Sequence, residues 1–234
     1  MHYTFFRDKP YVAKRPSNNK QVEIEEAKVT GNNYCRISVG LAASKIYNVY
    51  LSDDLGDAFH YVELFNILRT AESDDKIHLY INNGGGYLHT VYQLISALRQ
   101  TNATVISFLD GVAYSGASMI FLACGTCAVP QQCCMMIHWY EGGVFGKGNE
   151  NKKRIDFEDN FIKDFYRDIY KDFLTPDELE RVFGGEDFWF DSKEIHRRLA
   201  RKYKKLNKDY KALVENQITN KLKIKKTNNS TLIK

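Results

Sequence analysis

Short apolar runs alternate with segments of helical spacing from residue 46 onward. The runs at 46–51, 77–81 and 104–108 are apolar and partly β-branched, which predicts buried strands. Between them, apolar residues recur every three or four positions, which predicts two amphipathic helices. The helical positions are Ala58, Val62, Phe65 and Leu68, followed by Leu88, Val91, Ile95 and Leu98. Strands that alternate with helices are typical of an α/β fold with parallel strand pairing.

The alternation continues through a run of small residues and then changes character. Residues 113–118 are Ala-Tyr-Ser-Gly-Ala-Ser and open an apolar helix that is predicted to reach Ala123. Two further strands are predicted at 128–129 and 133–137. Residues 141–148 are rich in glycine and are predicted to be extended. A third long helix follows, with apolar positions at Phe157, Phe161, Phe165 and Ile169.

The last third of the chain carries two helix signals. Thr175 to Glu178 has the residues of a capping box, with a threonine N-cap, a proline at the first helical position and an acid three residues on. Further along, Asp191 or Ser192 is expected to cap a long amphipathic helix. Its apolar stripe consists of Ile195, Leu199, Tyr203, Leu206, Tyr210 and Leu213. Two interpretations of this stripe stay open: packing on its own subunit, or docking on a neighbouring subunit or a partner.

Three regions follow from these patterns. Residues 1–43 are mixed and polar, with one candidate strand at 22–24, and are predicted to form an N-terminal extension. Residues 44–195 are predicted to form the main domain. Residues 196–234 are predicted to form a basic helical C-terminal tail.

Charge is distributed unevenly along the chain. The net charge is +4, but the basic residues concentrate after residue 192, which leaves the body mildly acidic. The tail lacks the interleaved aromatic residues of a base-stacking platform. We therefore expect a solvated helix there rather than a nucleic-acid site.

Targeting signals and cysteine usage indicate the compartment. The first residues, MHYTFFRDKP, lack the apolar run of a secretion signal, and no run of 18 apolar residues predicts a membrane span. The five cysteines, an odd number without such a signal, predict reduced thiols. The expected location is therefore the cytoplasm.

A serine lies at a predicted junction between a strand and a helix. Ser115 begins the small-residue helix, so its hydroxyl would be exposed on a tight turn beside helical N–H groups, as a nucleophile requires. The simpler interpretation is a helix N-cap. The segment is not G-x-S-x-G, because Ala113 and Ala117 occupy the glycine positions, and this disfavours the α/β-hydrolase elbow.

Three glycines follow the strand predicted at 77–81. The segment 82–86, Asn-Asn-Gly-Gly-Gly, allows the backbone to approach a ligand closely and to direct N–H groups toward it, as an oxyanion hole requires. The simpler interpretation is a glycine turn. A phosphate loop is disfavoured because no Gly-Lys-Ser/Thr sequence follows.

Two more polar residues stand beside apolar segments. His138 closes an apolar strand, where the simpler interpretation is a core residue. Asp187 directly precedes the aromatic run 188–190. A carboxylate that is partly buried there needs a partner such as a histidine N–H, whereas its simpler interpretation is a turn residue.

In this order, the segments resemble the proteolytic subunit of the Clp protease. That family has a glycine pair after a strand, then Gly-x-Ala-x-Ser, Met-Ile-His, Gly-Gly, and an acidic residue before an aromatic one. The matching segments here are 82–86, Gly111–Ser115, Met136–His138, Gly142-Gly143 and Asp187-Phe188. The resemblance covers about residues 44–195. It implies an α/β fold of the ClpP/crotonase-like spiral type, built from repeated strand–strand–helix units with N- and C-terminal extensions.

The resemblance also implies a chemistry. It implies a serine endopeptidase that cleaves peptide bonds through an acyl-enzyme, with Ser115 as nucleophile, His138 as general base and Asp187 orienting the base. The backbone N–H groups of Gly85 and Gly116 would form the oxyanion hole.

Assembly is a further implication of the resemblance. Gly142 and Gly143 would belong to an extended arm, Glu141–Lys147, that pairs with substrate and joins two rings. The rings are expected to be stacked heptamers, and the expected substrates are proteins or peptides. An AAA+ unfoldase is the expected partner, with ATP used only by that partner. No cofactor or metal of the chain's own is expected.

The chain departs from the family pattern around the substrate cleft. Asn83-Gly84 replaces the usual Ser-Pro, Gly116 replaces the usual methionine after the nucleophile, and Trp139-Tyr140 replaces the usual Gln-Pro. The N-terminal segment does not match the family's axial loop, and the tail lacks the family's ending. We therefore expect a divergent member with its own substrate preference.

Alternatives to a Clp-type compartmental protease stay open. An acyl-CoA hydratase or isomerase of the same superfamily would share the glycine-built oxyanion hole without needing a serine–histidine pair. A viral head-maturation protease of Clp-like fold would work without an ATPase, in the host cytoplasm. An inactive ring subunit would only scaffold or regulate an active homologue. A zinc site is disfavoured because the cysteines alternate with apolar residues; the cysteines concerned are Cys124, Cys127, Cys133 and Cys134.

Overall fold

The computed structural model describes residues 29–31, 34–40 and 44–206, and the elements named here are those of this part of the chain. The strands are β1 (Val29–Gly31), β2 (Arg36–Gly40), β3 (Ile46–Leu51), β4 (Lys76–Asn83), β5 (Thr104–Tyr114), β6 (Thr126–Ala128), β7 (Cys134–Ile137) and β8 (Phe188–Asp191). The helices are α1 (Val62–Thr70), α2 (Leu88–Gln100), α3 (Gly116–Ala123), α4 (Gly148–Tyr170), α5 (Pro176–Phe183) and α6 (192–206). A short 3₁₀ turn, Ala58–Tyr61, leads into α1.

The strands form a mixed sheet whose centre is parallel. Its order is β1-β2-β3-β4-β5-β7-β8, with β6 paired to β5 as a branch. Pairing is parallel from β3 through β4 and β5 to β7, and antiparallel at both margins. Because the parallel strands are joined by helices, this confirms the predicted α/β class.

The predicted strands and helices of the body are confirmed, with differences at their ends. β3 spans the predicted residues, whereas β5 runs on to Tyr114, six residues past the predicted end at Phe108. β6 ends at Ala128, where the predicted strand began. Thr175 and Glu178 exchange both hydrogen bonds of the predicted capping box.

One face of the sheet packs against the helices and forms the core. Ile77, Leu79 and Ile81 alternate along β4 and are fully buried, as the two-residue period of a strand requires. The opposite face carries a row of stacked rings. The centroids of Tyr50 and Tyr80 lie 4.9 Å apart, and those of Tyr80 and Phe108 lie 4.8 Å apart.

The fold extends across both predicted region boundaries. β2, which precedes residue 44, pairs with β3 over five residue pairs. α6 crosses the boundary after residue 195, and its apolar residues Ile195 and Leu199 are buried in the core of the same subunit. This favours packing on its own subunit for the described part of the stripe. Asp191 caps the helix, because its carboxylate accepts the Glu194 N–H at 2.8 Å. The candidate strand at 22–24 and the stripe residues Tyr210 and Leu213 lie outside the described residues.

A buried ion pair fastens α6 to the rest of the fold. The Arg198 guanidinium donates to both carboxylate oxygens of Glu178, at 2.6 and 2.8 Å, and stacks over the Phe190 ring with 4.5 Å to its centroid. Hydrogen bonding by Arg198 is the main reason why the pKa of Glu178 is lowered to about 2. The pair therefore joins α5, β8 and α6, the elements that flank Asp187.

Within the described ranges, no helix is both long enough and apolar enough to cross a membrane. The five cysteines all lie within the described ranges, and none of them forms a disulfide bond.

The lowered pKa of Glu178 predicts a pH-dependent stability. An unfolded glutamate has a pKa of about 4.3, so the ion pair contributes fully above that pH and is lost as pH falls toward 2. We expect the difference in free energy of unfolding between wild type and Glu178→Gln to narrow by about 2 kcal/mol from pH 6 to pH 3. Urea titrations at one protein concentration measure this difference.

The matched control is Glu180→Gln, the same substitution on the same helix at a side chain that is 67% exposed. For each variant, the quantity compared is its difference from wild type in free energy of unfolding. If that difference narrows between pH 6 and pH 3 by no more for Glu178→Gln than for Glu180→Gln, the assigned role of the ion pair is contradicted.

Candidate active site

Three neighbouring parallel strands end at the same edge of the sheet, and each carries a predicted site segment. The glycine segment 84–86 follows β4, Ser115 follows β5, and His138 follows β7. Because β5 lies between β4 and β7, the three segments converge. The carboxyl edge of a parallel sheet is where α/β proteins place their ligands.

Ser115 occupies a strained turn between β5 and α3. Its backbone has φ 51° and ψ −125°, a conformation that residues with a side chain rarely adopt. Its N–H donates to the Met136 carbonyl at 2.9 Å, which extends the pairing of Tyr114 with Met136 by one bond. No side-chain cap hydrogen bond forms at this helix start, so the N-cap interpretation does not account for the hydroxyl. Strain of this kind costs about 1–3 kcal/mol and persists where the surroundings hold it.

The glycine segment lies directly against this turn. A Cβ on Gly85 would lie 2.7 Å from the Ser115 Cβ and 2.8 Å from the Tyr114 carbonyl oxygen, and Gly85 has φ +98°. Only glycine fits this position. Asn83 fixes the segment, because its Nδ2 donates to the Asp53 carbonyl and its Oδ1 accepts the Gly85 N–H at 2.8 Å.

This last hydrogen bond bears on the oxyanion donors that the resemblance implies. The Gly85 N–H, predicted from the resemblance to be a donor, is already used by Asn83. Gly86 is held by Leu55 on both sides, since Leu55 donates to the Gly85 carbonyl and accepts from the Tyr87 N–H. The Gly86 N–H itself makes no hydrogen bond with the described residues. Its nitrogen lies 3.9 Å from the position that a Cβ on Gly116 would take, so the N–H groups of Gly86 and Gly116 are neighbours.

His138 lies next to the serine hydroxyl. Its Nε2 atom is 2.7 Å from the Ser115 Oγ, which is hydrogen-bond distance. Both side chains are half-buried, so they remain open to a substrate. The Tyr166 hydroxyl donates to the His138 carbonyl at 2.9 Å and fixes the backbone of the histidine from α4. Trp139 packs its ring against those of Tyr140, Tyr166 and Phe183 with 5.0 Å between centroids in each case.

Asp187 is exposed and lies near the histidine in the strand pairing. The last residue pair between the antiparallel strands β7 and β8 is Ile137 with Phe188. His138 follows Ile137 and Asp187 precedes Phe188, so these two residues lie next to each other just beyond the paired part of the strands. Among the described residues, however, no hydrogen bond reaches the Asp187 carboxylate or the His138 Nδ1. The structure therefore brings the serine and the histidine together but leaves the third residue apart.

The predicted arm runs over the surface without pairing to a described strand. Residues 141–147 form neither helix nor strand, and Gly142 and Gly143 are exposed. At one end, the Tyr140 hydroxyl donates to Asp159 on α4. At the other end, the Nδ2 of Asn151 on α4 donates to the Gly146 carbonyl at 3.1 Å and anchors the arm to the helix. The Phe145 side chain between these anchors is fully exposed.

A comparison with protein-family models identifies the relationship. The Clp protease family model matches residues 33–170, which is more than half of the chain. The chain belongs to the Clp protease family. No curated protein matches it.

The family match covers most of the site and supports a serine peptidase. It contains the glycine segment, Ser115, His138 and the arm, and it ends before Asp187. Within the described ranges, no group of three or more His, Cys, Asp or Glu residues could hold a metal ion.

Several residues that support this Clp protease site were not predicted from the sequence. Asn83 holds the glycine segment, Tyr166 holds the histidine backbone, and Ser118 holds the Ser115 turn through a 2.7 Å bond from its Oγ to the Ser115 carbonyl. One signal was available for the tyrosine. Tyr166 lies within the apolar repeat of α4, where a hydroxyl needs a buried acceptor.

Proposed function

We propose that the protein is a serine endopeptidase with Ser115 as nucleophile and His138 as general base. The observation that supports this most directly is the 2.7 Å separation of the Ser115 Oγ and the His138 Nε2. A hydratase or isomerase of the same superfamily needs no such pair. The strained, half-buried turn at Ser115 also favours a nucleophile over a structural cap.

The proposed reaction begins with a proton transfer between these two atoms. With the ring proton on Nδ1, the His138 Nε2 accepts the hydroxyl proton while the Ser115 Oγ attacks the carbonyl carbon of the scissile peptide. The negative charge develops on the peptide oxygen, where the N–H groups of Gly86 and Gly116 would donate to it. The imidazolium then returns its proton to the leaving amine as the C–N bond breaks. Water, activated by the same histidine, hydrolyses the resulting acyl-enzyme and restores the serine hydroxyl.

Asp187 is proposed to orient the histidine through its Nδ1–H. The adjacent positions of the two residues at the end of β7 and β8 support this role. The Asp187 carboxylate has to turn toward the His138 imidazole to make this hydrogen bond. Assembly of the subunits into an oligomeric ring would provide the surroundings that hold the carboxylate in that position. The exposed state of Asp187 in the single chain is also the observation that favours the second candidate function, an inactive scaffold subunit.

The arm 141–147 is proposed to pair with substrate as an extra strand. Its backbone groups are free of sheet pairing among the described residues, and its glycines, Gly142 and Gly143, leave no side chain in the way. An extended peptide that adds to a free edge gains main-chain hydrogen bonds irrespective of its sequence. This suits a peptidase that acts on many unfolded chains.

Assembly into closed rings, which is general in the family, is proposed to occur here as two stacked heptamers. The support from this chain is unburied apolar surface on the arm and on the first half of α4. Phe157 is 70% exposed and Phe161 is 50% exposed, although such side chains are usually covered in a stable fold. ATP, where it is used, would be hydrolysed by a partner AAA+ unfoldase, because the chain lacks a Gly-Lys-Ser/Thr phosphate loop.

The first test of this proposal removes the nucleophile. Ser115→Ala is expected to lower hydrolysis of a fluorogenic peptide by roughly 10³-fold or more, because the serine and histidine act as one unit. A fluorophosphonate probe is expected to label wild type at Ser115 and to leave the variant unlabelled. The control is Ser73→Ala, at a serine in an exposed turn. Equal hydrolysis by wild type and Ser115→Ala would refute the assignment.

The second test concerns the orienting residue. Asp187→Asn is expected to reduce peptide hydrolysis by roughly 10³-fold, because the amide favours the wrong tautomer of the histidine. Asp177→Asn, at a side chain that is 84% exposed, is the matched control. Full activity in Asp187→Asn would show that the protein uses a serine–histidine pair alone. Absence of activity and of labelling in wild type would favour the scaffold function.

The third test concerns assembly. Phe157→Glu is expected to separate stacked rings and to halve the particle mass measured by light scattering, because it places a charge on a surface that would be buried. Asn160→Glu is the control, because it adds the same charge at an exposed position of α4 without removing a phenylalanine side chain. A wild-type protein that stays monomeric at micromolar concentrations while it hydrolyses peptides would contradict the ring assembly.

A further inference from the structure

Helix α4 contacts both halves of the site through two buried tyrosines. Tyr166 and Tyr170 are four residues apart and therefore lie on the same face of the helix. The Tyr166 hydroxyl donates to the His138 carbonyl at 2.9 Å. The Tyr170 hydroxyl lies 2.7 Å from the Ser118 Oγ, which in turn contacts the Ser115 carbonyl at 2.7 Å. One helix face is thus bonded to the backbone of the histidine and, through one side chain, to that of the serine.

The direction of the hydrogen bonds in this chain is determined by the available protons. The Ser115 carbonyl can only accept, so the single proton of the Ser118 hydroxyl is donated to it. The Tyr170 hydroxyl must then donate its own proton to the Ser118 Oγ. Burial raises the pKa of both Tyr166 and Tyr170 well above the ordinary value, so both hydroxyls stay protonated and remain donors.

These contacts are closed to solvent. Ser118 and Tyr170 are both 0% exposed, so water cannot replace either hydroxyl. A buried hydrogen bond without a substitute is costly to remove. The bonds also act where the backbone is under strain, because the Ser115 carbonyl follows directly on its unusual φ and ψ. That carbonyl accepts two hydrogen bonds from Ser118, one from its N–H at 3.0 Å and the shorter one from its Oγ at 2.7 Å. Together these donors hold the peptide plane that follows Ser115, and Tyr170 fixes the orientation of the hydroxyl that makes the shorter bond.

We propose that Tyr166 and Tyr170, the latter through Ser118, are positioning residues that keep the Ser115 Oγ and the His138 Nε2 at hydrogen-bond distance. The proposal rests on the proposed peptidase function, in which these two atoms exchange a proton. Neither tyrosine touches the reacting atoms. Each acts on the backbone of a residue that does, and both act from the same rigid helix.

The test replaces each tyrosine by phenylalanine, singly and together, which keeps the buried ring and removes only the hydroxyl. Each single variant is expected to lower kcat for a fluorogenic peptide about 10-fold and the double variant up to roughly 100-fold, because misplacement by about 1 Å has an effect of this size. KM is expected to stay within twofold, since the substrate contacts are unchanged. The rate of fluorophosphonate labelling at Ser115 is expected to fall in parallel.

Tyr203→Phe is the matched control. Its hydroxyl accepts the Cys127 N–H at 2.8 Å, so this variant also loses one hydrogen bond of a tyrosine that packs on the core, but it contacts neither Ser115 nor His138. We expect it to lower the melting temperature about as much as Tyr170→Phe while leaving kcat unchanged. If kcat of Tyr166→Phe and Tyr170→Phe stays within twofold of wild type, or falls no more than that of Tyr203→Phe, the proposal is overturned.

A crystal structure of the double variant separates this proposal from the proposed function. An Oγ–Nε2 distance beyond 3.5 Å supports the positioning role even if wild type proves to hydrolyse nothing. A distance that remains near the 2.7 Å of wild type overturns it, whatever the activity. Absence of activity and of labelling in wild type would count against the peptidase function alone.

Discussion

The hydrogen bond from the Ser115 N–H to the Met136 carbonyl is the constraint on which the site depends. It is the last hydrogen bond along the pairing of β5 with β7, and it fixes where the segment after β5 leaves the sheet relative to the segment after β7. His138 is two residues beyond Met136, so its ring is placed beside the serine by a short, paired segment rather than by a free loop. A shift of one residue in this pairing would turn the side chains of β7 to the opposite face and separate the two groups.

The strain at Ser115 is supported from several independent directions. The sheet holds its N–H, the glycine segment is packed against its Cβ, and α3 holds its carbonyl through Ser118. The glycine segment is itself fixed by Asn83 and Leu55. The strained Ser115 turn is therefore the meeting point of β4, β5, β7 and α3. The hydrogen bonds and packing contacts that these elements make at the turn offset its conformational cost.

The two halves of helix α4 differ in how far they are buried. Its second half is buried and carries Tyr166 and Tyr170, whereas its first half leaves Phe157 and Phe161 exposed. A partner that covers the exposed rings restrains the same rigid helix whose other end is bonded to the serine turn and the histidine. If the proposed assembly covers Phe157 and Phe161, its contacts would therefore act on the site through this single helix.

Sequence patterns predicted the elements well and the fine geometry of the site less well. Apolar periodicity located β3, β4, α1 and α2, because each buries one face against the core. The Gly85 N–H, which the resemblance implies as an oxyanion donor, donates to the Asn83 side chain, and for this reason Gly86 is the donor proposed here. The sequence could not separate the two, because three consecutive glycines look alike until the Asn83 side chain is placed. The length of β5 was also missed, since its polar end at Asp110-Gly111 resembles a turn.

The substitution of glycine for the family's usual methionine after the nucleophile has a packing explanation. A Cβ on Gly116 would lie 2.7 Å from the Val91 Cγ2, so the space above α3 is occupied by α2. A larger residue at this position would require Val91 to move, which makes the two residues complementary. The N–H of Gly116 does not depend on its side chain, because it is one of the free donors at the start of α3. In the proposed site, Val91 of α2 would therefore form the part of the cleft wall that a methionine side chain would otherwise form, and the proposed oxyanion donor would be unchanged.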